Sequence, residues 1–253
     1  MKKVLFILFV FFLSIIPSWS DVIVKAYNGY VLWLDSEYHG PVAFMYFLGK
    51  DLNAINTTEE SKYRAYKLDD SVPDQYQQDS IDTYQSGNDK EPYHIGHLVP
   101  LDHMDSYEEF AMETRLATNV LPQTATFNLG AWRRTEKISE CYREFGTILV
   151  IGGVIWGEND SDDYFIESHG IKTPDFFWKA IINAAGEIIV WKIPNVHTDA
   201  AKSASLDDHI TSIKELENEG VFIPIFIPES LKTAEKPENS WDHLIDECTG
   251  KIN

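Results

Sequence analysis

The segment 93–136 gathers side chains whose types and spacing could carry hydrolytic chemistry. The neutral imidazole of His97 is suited to accept a proton from water near pH 7. Amide oxygens and carboxylates are hard ligands for Mg²⁺, Mn²⁺ or Ca²⁺, and guanidinium groups match the oxygens of a phosphate. Together these groups are what the metal-assisted hydrolysis of a phosphodiester requires.

Short runs within this segment resemble the signature of a known family. The chain contains Gly96-His97-Leu98-Val99-Pro100, then Asn128-Leu129-Gly130-Ala131-Trp132, and then Glu136. This pattern resembles the DNA/RNA non-specific endonucleases, whose ββα-metal site combines two strands, a helix and a bound ion. The resemblance extends from residue 40 to residue 230. It implies metal-dependent cleavage of DNA and RNA with little sequence preference.

The resemblance implies a role for each matching residue. His97 would be the general base that activates water, and Asn128 would be the one direct protein ligand of Mg²⁺, with Mn²⁺ as an alternative ion. Glu136 would hold the ion through a water molecule, because eight residues of helix give about 12 Å of rise and about 80° of rotation. Asn119 would orient the His97 region and the substrate, and Arg64 would stabilise negative charge on phosphorus.

Further substrate contacts are expected from Gln123, Arg133 and Arg134. The family pattern has Asp-Arg before Gly-His, and this chain has His94-Ile95 instead, so a cation beside the general base is missing. Three outcomes are open: a neighbouring arginine compensates, the enzyme is intrinsically slow, or Ile95 packs inward. A metal site shared by both imidazoles of this run is disfavoured, because positions i and i+3 of a strand face opposite sides.

The chain is acidic overall, with 21 Lys and Arg against 40 Asp and Glu and a formal net charge of −19. This balance disfavours a polybasic binder of nucleic acid or membrane. The basic residues near the candidate site are consistent with a local positive groove, and equally with a solvated helix face. They are Lys62, Arg64, Lys67, Arg115, Arg133, Arg134, Lys137 and Arg143.

The pattern of apolar and turn residues predicts an α+β fold, with a largely antiparallel sheet flanked by helices. Strands are predicted at 22–27, 30–34, 42–48, 147–156, 176–183, 187–193 and 222–227. Helices are predicted at 106–116, 129–145 and 205–219, the first with a capping box formed by Ser106 and Glu109 and the last opened by Ser205. The polar stretch 51–92 is expected to be a long surface loop.

The first twenty residues have the pattern of a secretory signal peptide. Lys2 and Lys3 precede an apolar stretch that is ended by Pro17, and Ser18 and Ser20 are small residues at the positions that a signal peptidase recognises. A permanent anchor would need about 20 apolar residues, so cleavage near Ser20 is expected and no stable membrane anchor remains. We therefore expect an exported protein, periplasmic or extracellular, with residues 21–253 forming one endonuclease-like domain.

The chain has two cysteines, Cys141 and Cys248. This number excludes a disulfide-dense scaffold, and neither cysteine has the spacing of a metal site. In an oxidising compartment the two could form a bridge worth a few kcal/mol, and two buried thiols are the other interpretation.

The sequence thus predicts an exported, Mg²⁺-dependent endonuclease acting on DNA and RNA. One alternative is a catalytically impaired relative that only binds nucleic acid or another partner. The other is a secreted phosphodiesterase that hydrolyses small diesters.

Overall fold

The computed structural model describes residues 21–52, 55, 65–88, 90–241 and 248. The predicted signal peptide and the proposed phosphate-contacting Arg64 lie outside the described residues. Among the residues that are described, no helix has both the length and the apolar character needed to cross a membrane.

A seven-stranded sheet forms the centre of the fold, and its antiparallel pairing confirms the largely antiparallel sheet that the sequence predicts. Its strands follow the spatial order β1-β2-β3-β6-β7-β8-β9, and every neighbouring pair is antiparallel. The strand bounds are β1 Val22–Ala26, β2 Val31–Asp35, β3 Gly40–Leu48, β6 Ile148–Ile155, β7 Phe176–Ile182, β8 Ile188–Pro194 and β9 Ile210–Thr211.

A second, two-stranded sheet carries the candidate site. It pairs β4, Tyr93–His97, with β5, Val120–Thr124, in antiparallel register. The helices of the described chain are α1 Glu108–Glu113, α2 Ala125–Phe127, α3 Arg133–Arg143, α4 Ile166–His169, α5 Ile213–Asn218 and α6 Glu229–Lys232. The mixed composition of helices and antiparallel strands confirms the predicted α+β class.

Both faces of the large sheet are covered. Along β7, Phe177 and Ile181 face the main core, which also contains Trp132 and Ile138 of the helical layer, while Trp178 faces a second core. The second core includes residues of α5. Because successive side chains of a strand point to opposite sides, a strand between two cores is almost continuously apolar.

The Cys141–Cys248 bridge is present, with the two Cα atoms 5.3 Å apart. The bridge joins the buried side of α3 to the C-terminal part of the chain across 107 positions. Of the two interpretations that the sequence left open, the structure has the disulfide.

Some predicted elements differ from the structure near their ends. The Ser106–Glu109 capping box is wrong, because Tyr107 is extended and α1 begins only at Glu108, without a side-chain cap. A reciprocal capping box instead joins Ser212 and Glu215 at the start of α5.

The predicted helix 205–219 is interrupted, because Ile210 and Thr211 pair with β8 as the short strand β9. Before this strand, Ser203–His209 form a 3₁₀ helix, so only the second half of the predicted segment is α-helical. The predicted strand 222–227 is also wrong: no residue of the segment is paired in a sheet, and Ile227 packs on the second core while Phe226 is exposed. Pro224 and Pro228 have no N–H to donate, which disfavours ladder pairing there.

Candidate active site

Strands β4 and β5 and the helix that follows them form a ββα unit. In the paired strands His94 lies opposite Gln123, and Gly96 lies opposite Leu121. The chain leaves β5 at Thr124, whose side-chain oxygen accepts a hydrogen bond from the backbone N–H of Phe127. This cap starts the helical turn that brings Asn128 back towards the two strands.

The helix is irregular between Asn128 and Trp132, where it widens into a π-helical turn. Gly130 has non-helical angles there, φ −100° and ψ −111°. A Cβ atom on Gly130 would lie 2.5 Å from the carbonyl oxygen of Ala201, so only glycine allows this close approach of two backbone segments. The irregular turn sets the position of Asn128 relative to α3.

A chain of polar contacts joins Asn128 to both ends of β4. The Asn128 amide donates from Nδ2 to Oε1 of Gln123 at 2.5 Å, and Gln123 Nε2 lies 3.5 Å from the carbonyl oxygen of His97. Oδ1 of Asn128 lies 3.3 Å from Nδ1 of His94. Gly96 makes room for this arrangement, because a Cβ there would lie 2.1 Å from Cδ of Gln123.

The imidazole of His97 is packed under an aromatic ring. Its centroid lies 5.5 Å from that of Tyr66, and the guanidinium carbon of Arg115 lies 4.7 Å from the Tyr66 centroid on which it stacks. Nε2 of His97 is buried and has no hydrogen-bond partner within the described part of the chain. Because an unpaired buried polar atom costs free energy, this nitrogen is a position at which a hydrogen-bond partner is expected.

Burial, together with the positive charge of Arg115, lowers the pKa of His97 to about 3. An ordinary imidazole would become protonated near pH 6.5 and would lose its function as a base below that pH. The structure therefore moves the protonation of His97 to a far lower pH, and the neutral form predominates at neutral pH. The neutral form is the one that can accept a proton.

Asn119 is fully buried and holds the chain that follows His97. Its amide oxygen accepts a hydrogen bond from the N–H of Val99, and its Nδ2 donates to the carbonyl oxygens of Val99 and Thr114. These contacts fit the expectation that Asn119 orients the His97 region. A contact with substrate would require the amide to leave these bonds.

Glu136 lies in the first turn of α3, half-buried, on the side of the large sheet. Burial raises the pKa of its carboxyl group, and the positive charge of Lys179 opposes that rise. Lys179 extends from β7 and is completely buried; its Nζ donates to Oγ1 of Thr135 at 2.8 Å and lies 3.6 Å from the ring centroid of Trp132. The start of α3 is thereby attached to the centre of the sheet by a buried cation.

The proposed substrate-contacting residues lie at different depths. Gln123 is fully buried and contacts Asn128, whereas Arg133 is exposed and Arg134 is half-buried at the start of α3. Arg143, which the sequence placed in a basic groove, is instead 3% exposed and donates from Nε to the carbonyl oxygen of Gly49. Its guanidinium is part of the interior and is not available to a polyanion.

Ile95, which occupies the position of the missing cation, packs against the main core. The structure has the inward packing of Ile95, whereas compensation by a neighbouring arginine and a low intrinsic rate stay predictions. A charge at this position would be buried, because the side chain lies on the face of β4 that points away from Gln123.

Sequence reasoning missed the roles of Lys179, Tyr66 and the contact of His94 with Asn128. A single lysine inside the apolar run Phe-Phe-Trp-Lys-Ala-Ile-Ile of β7 is a signal that a charge has a buried partner. Tyr66 carries no such local signal, since its contact with His97 joins segments that are distant in sequence.

The donor set fits a hard or borderline metal ion. The Nδ2 hydrogen bond to Gln123 fixes which way the Asn128 amide points, so its oxygen is directed away from Gln123, and the side chain is partly exposed. The described residues contain no cluster of three or more His, Cys, Asp or Glu side chains placed to bind an ion. Within that part of the chain, an ion would therefore have few protein ligands, with water or phosphate oxygens completing its shell.

Comparisons with known proteins agree with this fold. A crystal structure of the EndoG/EndoGI complex, described as revealing the mechanism of EndoG inhibition, matches with a TM-score of 0.62 and 17% identity, over 84% of this chain and 91% of that chain. A curated relative, "Nuclease EXOG, mitochondrial" from Danio rerio, is 23% identical over 225 residues. That alignment covers 82% of this chain and 62% of the relative, so this chain spans less than two thirds of the relative's length.

The antiparallel sheet and the ββα unit that carries His97 and Asn128 give this chain a fold similar to that of the EndoG structure. The model of the DNA/RNA non-specific endonuclease family matches residues 12–221. The chain belongs to this family of nucleic-acid hydrolases, as the sequence motifs predict.

Proposed function

We propose that this protein is an exported endonuclease that hydrolyses the phosphodiester bonds of DNA and RNA with little sequence preference, using Mg²⁺ or Mn²⁺. The observation that carries the proposal is the orientation of Asn128. Gln123 holds its amide beside β4, the strand that ends at the general-base candidate His97.

Each residue of the site would have a separate role in hydrolysis. Neutral His97 accepts a proton from the attacking water, and Asn119 holds the chain that follows this base. Asn128 and, through water, Glu136 would hold a divalent ion, which when bound would neutralise charge on the phosphate. Arg133, which is exposed at the start of α3, would contact the phosphate backbone.

The expected contacts of the site with phosphate favour broad specificity. A nuclease that recognises phosphate and sugar discriminates little between bases, because sequence is read at the base edges. The acidic net charge of −19 makes encounter with a polyanion slower at low salt, so a local group of cations is needed. Arg115 stacks on the Tyr66 ring beside His97, and Arg133 and Arg134 lie at the start of α3.

Two observations support export. The first twenty residues have the pattern of a signal peptide, and a disulfide joins Cys141 to Cys248. Disulfides persist in oxidising compartments, which include the periplasm and the extracellular medium. Mass analysis of protein recovered from the medium and the periplasm should give an N-terminus near Asp21, and an intact N-terminus would contradict export by cleavage.

The decisive experiment measures plasmid DNA and RNA cleavage with Mg²⁺, with Mn²⁺ and with EDTA. Asn128→Ala should remove nearly all cleavage while the circular dichroism spectrum stays native. Asn218→Ala, which changes an exposed asparagine at the end of α5, is the matched control and should keep wild-type rates. Full activity in EDTA would refute the metal-dependent mechanism.

The same assay separates the other candidates. A protein that binds nucleic acid without turnover under any ion would be the impaired relative. Preferential hydrolysis of a small chromogenic diester, undiminished by competing plasmid, would identify a phosphodiesterase for small substrates.

A further inference from the structure

His94 faces the proposed metal ligand Asn128 at close range. Nδ1 of His94 lies 3.3 Å from Oδ1 of Asn128, and both side chains are partly exposed. The facing atom of Asn128 is its oxygen, because the amide nitrogen is occupied by the hydrogen bond to Oε1 of Gln123. Nδ1 of His94 and Oδ1 of Asn128 can therefore both direct a lone pair towards one position between them.

The separation of these two atoms suits a shared ion. If each atom were about 2.1 Å from a metal, the 3.3 Å separation would correspond to an angle of about 104° at the ion. This angle lies between the ideal values of neighbouring ligands in octahedral and tetrahedral shells, about 90° and about 109°. The pair needs little rearrangement to bind one ion.

The local backbone holds the pair in place. His94 lies opposite Gln123 in the β4–β5 register, so the residue that orients Asn128 is the cross-strand neighbour of His94. Gly96 leaves the space that the Gln123 side chain fills. The side chains of His94 and Gln123 are thus fixed on one face of the two-stranded sheet, where Asn128 contacts both.

We infer that His94 is a second direct protein ligand of the catalytic ion, and that this nitrogen ligand shifts the preference of the site from Mg²⁺ towards Mn²⁺ and Co²⁺. Imidazole nitrogen binds first-row transition ions more strongly than it binds Mg²⁺, whereas an all-oxygen site suits Mg²⁺. The inference rests on the proposed function, since it deepens the description of the same site.

The test measures metal binding without nucleic acid. Isothermal titration of the mature, disulfide-bonded protein should give a dissociation constant for Mn²⁺ on the order of tenfold or more below that for Mg²⁺. His94→Ala should raise the Mn²⁺ constant by about 10- to 100-fold and change the Mg²⁺ constant much less. His209→Ala removes another partly buried imidazole, one that contacts the carbonyl oxygen of Ala200, and should change neither constant.

A spectroscopic measurement reports the ligand directly. Pulsed electron paramagnetic resonance of the Mn²⁺-loaded protein should show coupling to an imidazole ¹⁴N, and His94→Ala should abolish that coupling. His94→Asp supplies an anionic oxygen in its place and should raise affinity for Mg²⁺ relative to Mn²⁺.

Three results would overturn the inference: no ¹⁴N coupling in the wild type, coupling that persists in His94→Ala, or an equal loss of Mn²⁺ and Mg²⁺ affinity in that variant. The last result would show that His94 only donates a hydrogen bond that orients Asn128. Cleavage by the wild-type protein is measured separately with each ion, so failure of the nuclease proposal is distinguishable from failure of the assignment of His94.

Discussion

Replacing Gly96 with alanine should disconnect the polar chain that orients Asn128. A Cβ atom at this position would lie 2.1 Å from Cδ and 2.4 Å from Cγ of Gln123. Because Cγ is close to the backbone, rotation of the terminal amide alone cannot relieve the clash, and the whole Gln123 side chain must move. Its contacts with Asn128 and with the His97 carbonyl oxygen would then be lost.

The size of the effect follows from the contacts that are lost. Two neutral hydrogen bonds contribute about 0.5–1.5 kcal/mol each to the free energy of unfolding, so the loss is about 1–3 kcal/mol. Alanine restricts the unfolded chain more than glycine does, and this offsets about 0.4–1 kcal/mol of the lost stability. We therefore expect Gly96→Ala to destabilise the fold by about 1–2 kcal/mol. We also expect a lower rate of cleavage by the folded protein, because the Asn128 amide is no longer oriented.

The assay is a double-mutant cycle by urea denaturation, combined with initial rates of plasmid cleavage. In a Gln123→Ala background the clash is absent, so Gly96→Ala should be neutral or slightly stabilising there. Gly49→Ala is the matched control, since its Cβ would meet only Oγ1 of Thr147 at an ordinary 3.7 Å. Equal destabilisation by Gly96→Ala in both backgrounds would refute the reasoning.

Three further predictions concern the interior of the protein. The pKa of His97 is lowered to about 3, so the unfolded state binds one more proton than the folded state between about pH 3 and pH 6.5. The free energy of unfolding should therefore fall as the pH drops through that range. In urea titrations His97→Gln should show a shallower fall. Lys179→Met leaves the half-buried Glu136 without its nearby cation and should cost about 3 kcal/mol near pH 7.5 but less near pH 5, where Glu136 is protonated; equal losses at both pH values would contradict this interaction. The Cys141–Cys248 bridge closes a loop of 107 positions, so its reduction should lower the free energy of unfolding by about 4–5 kcal/mol. Labelling of two thiols in unfolded protein without reductant would disprove the bridge.

The strands of the large sheet could be predicted because their signals are local. The Asn28-Gly29 turn between β1 and β2 and the apolar runs of β6, β7 and β8 each lie within a few residues of one another in sequence. The predictions failed where a distant partner competes with the local pattern. Residues 210 and 211 pair with β8 instead of continuing a helix, and Ile223, Ile225 and Ile227 pack on the second core without strand pairing.

The chemical groups of the site were determined by the sequence alone, because the identities and spacing of His97, Asn128 and Glu136 are fixed by the order of residues. Which atoms face one another was decided only by the tertiary structure. The amide oxygen of Asn128 points to His94 because Gln123, on the neighbouring strand, occupies the amide nitrogen.

The low pKa of His97 has the same origin. It results from burial and from Arg115, eighteen positions away in the chain, and Glu136 is similarly influenced by Lys179 of a central strand. Local sequence patterns indicate which face of a helix or strand is buried. The orientation of an amide and the pKa of an ionisable group depend on neighbours that only the folded chain brings together.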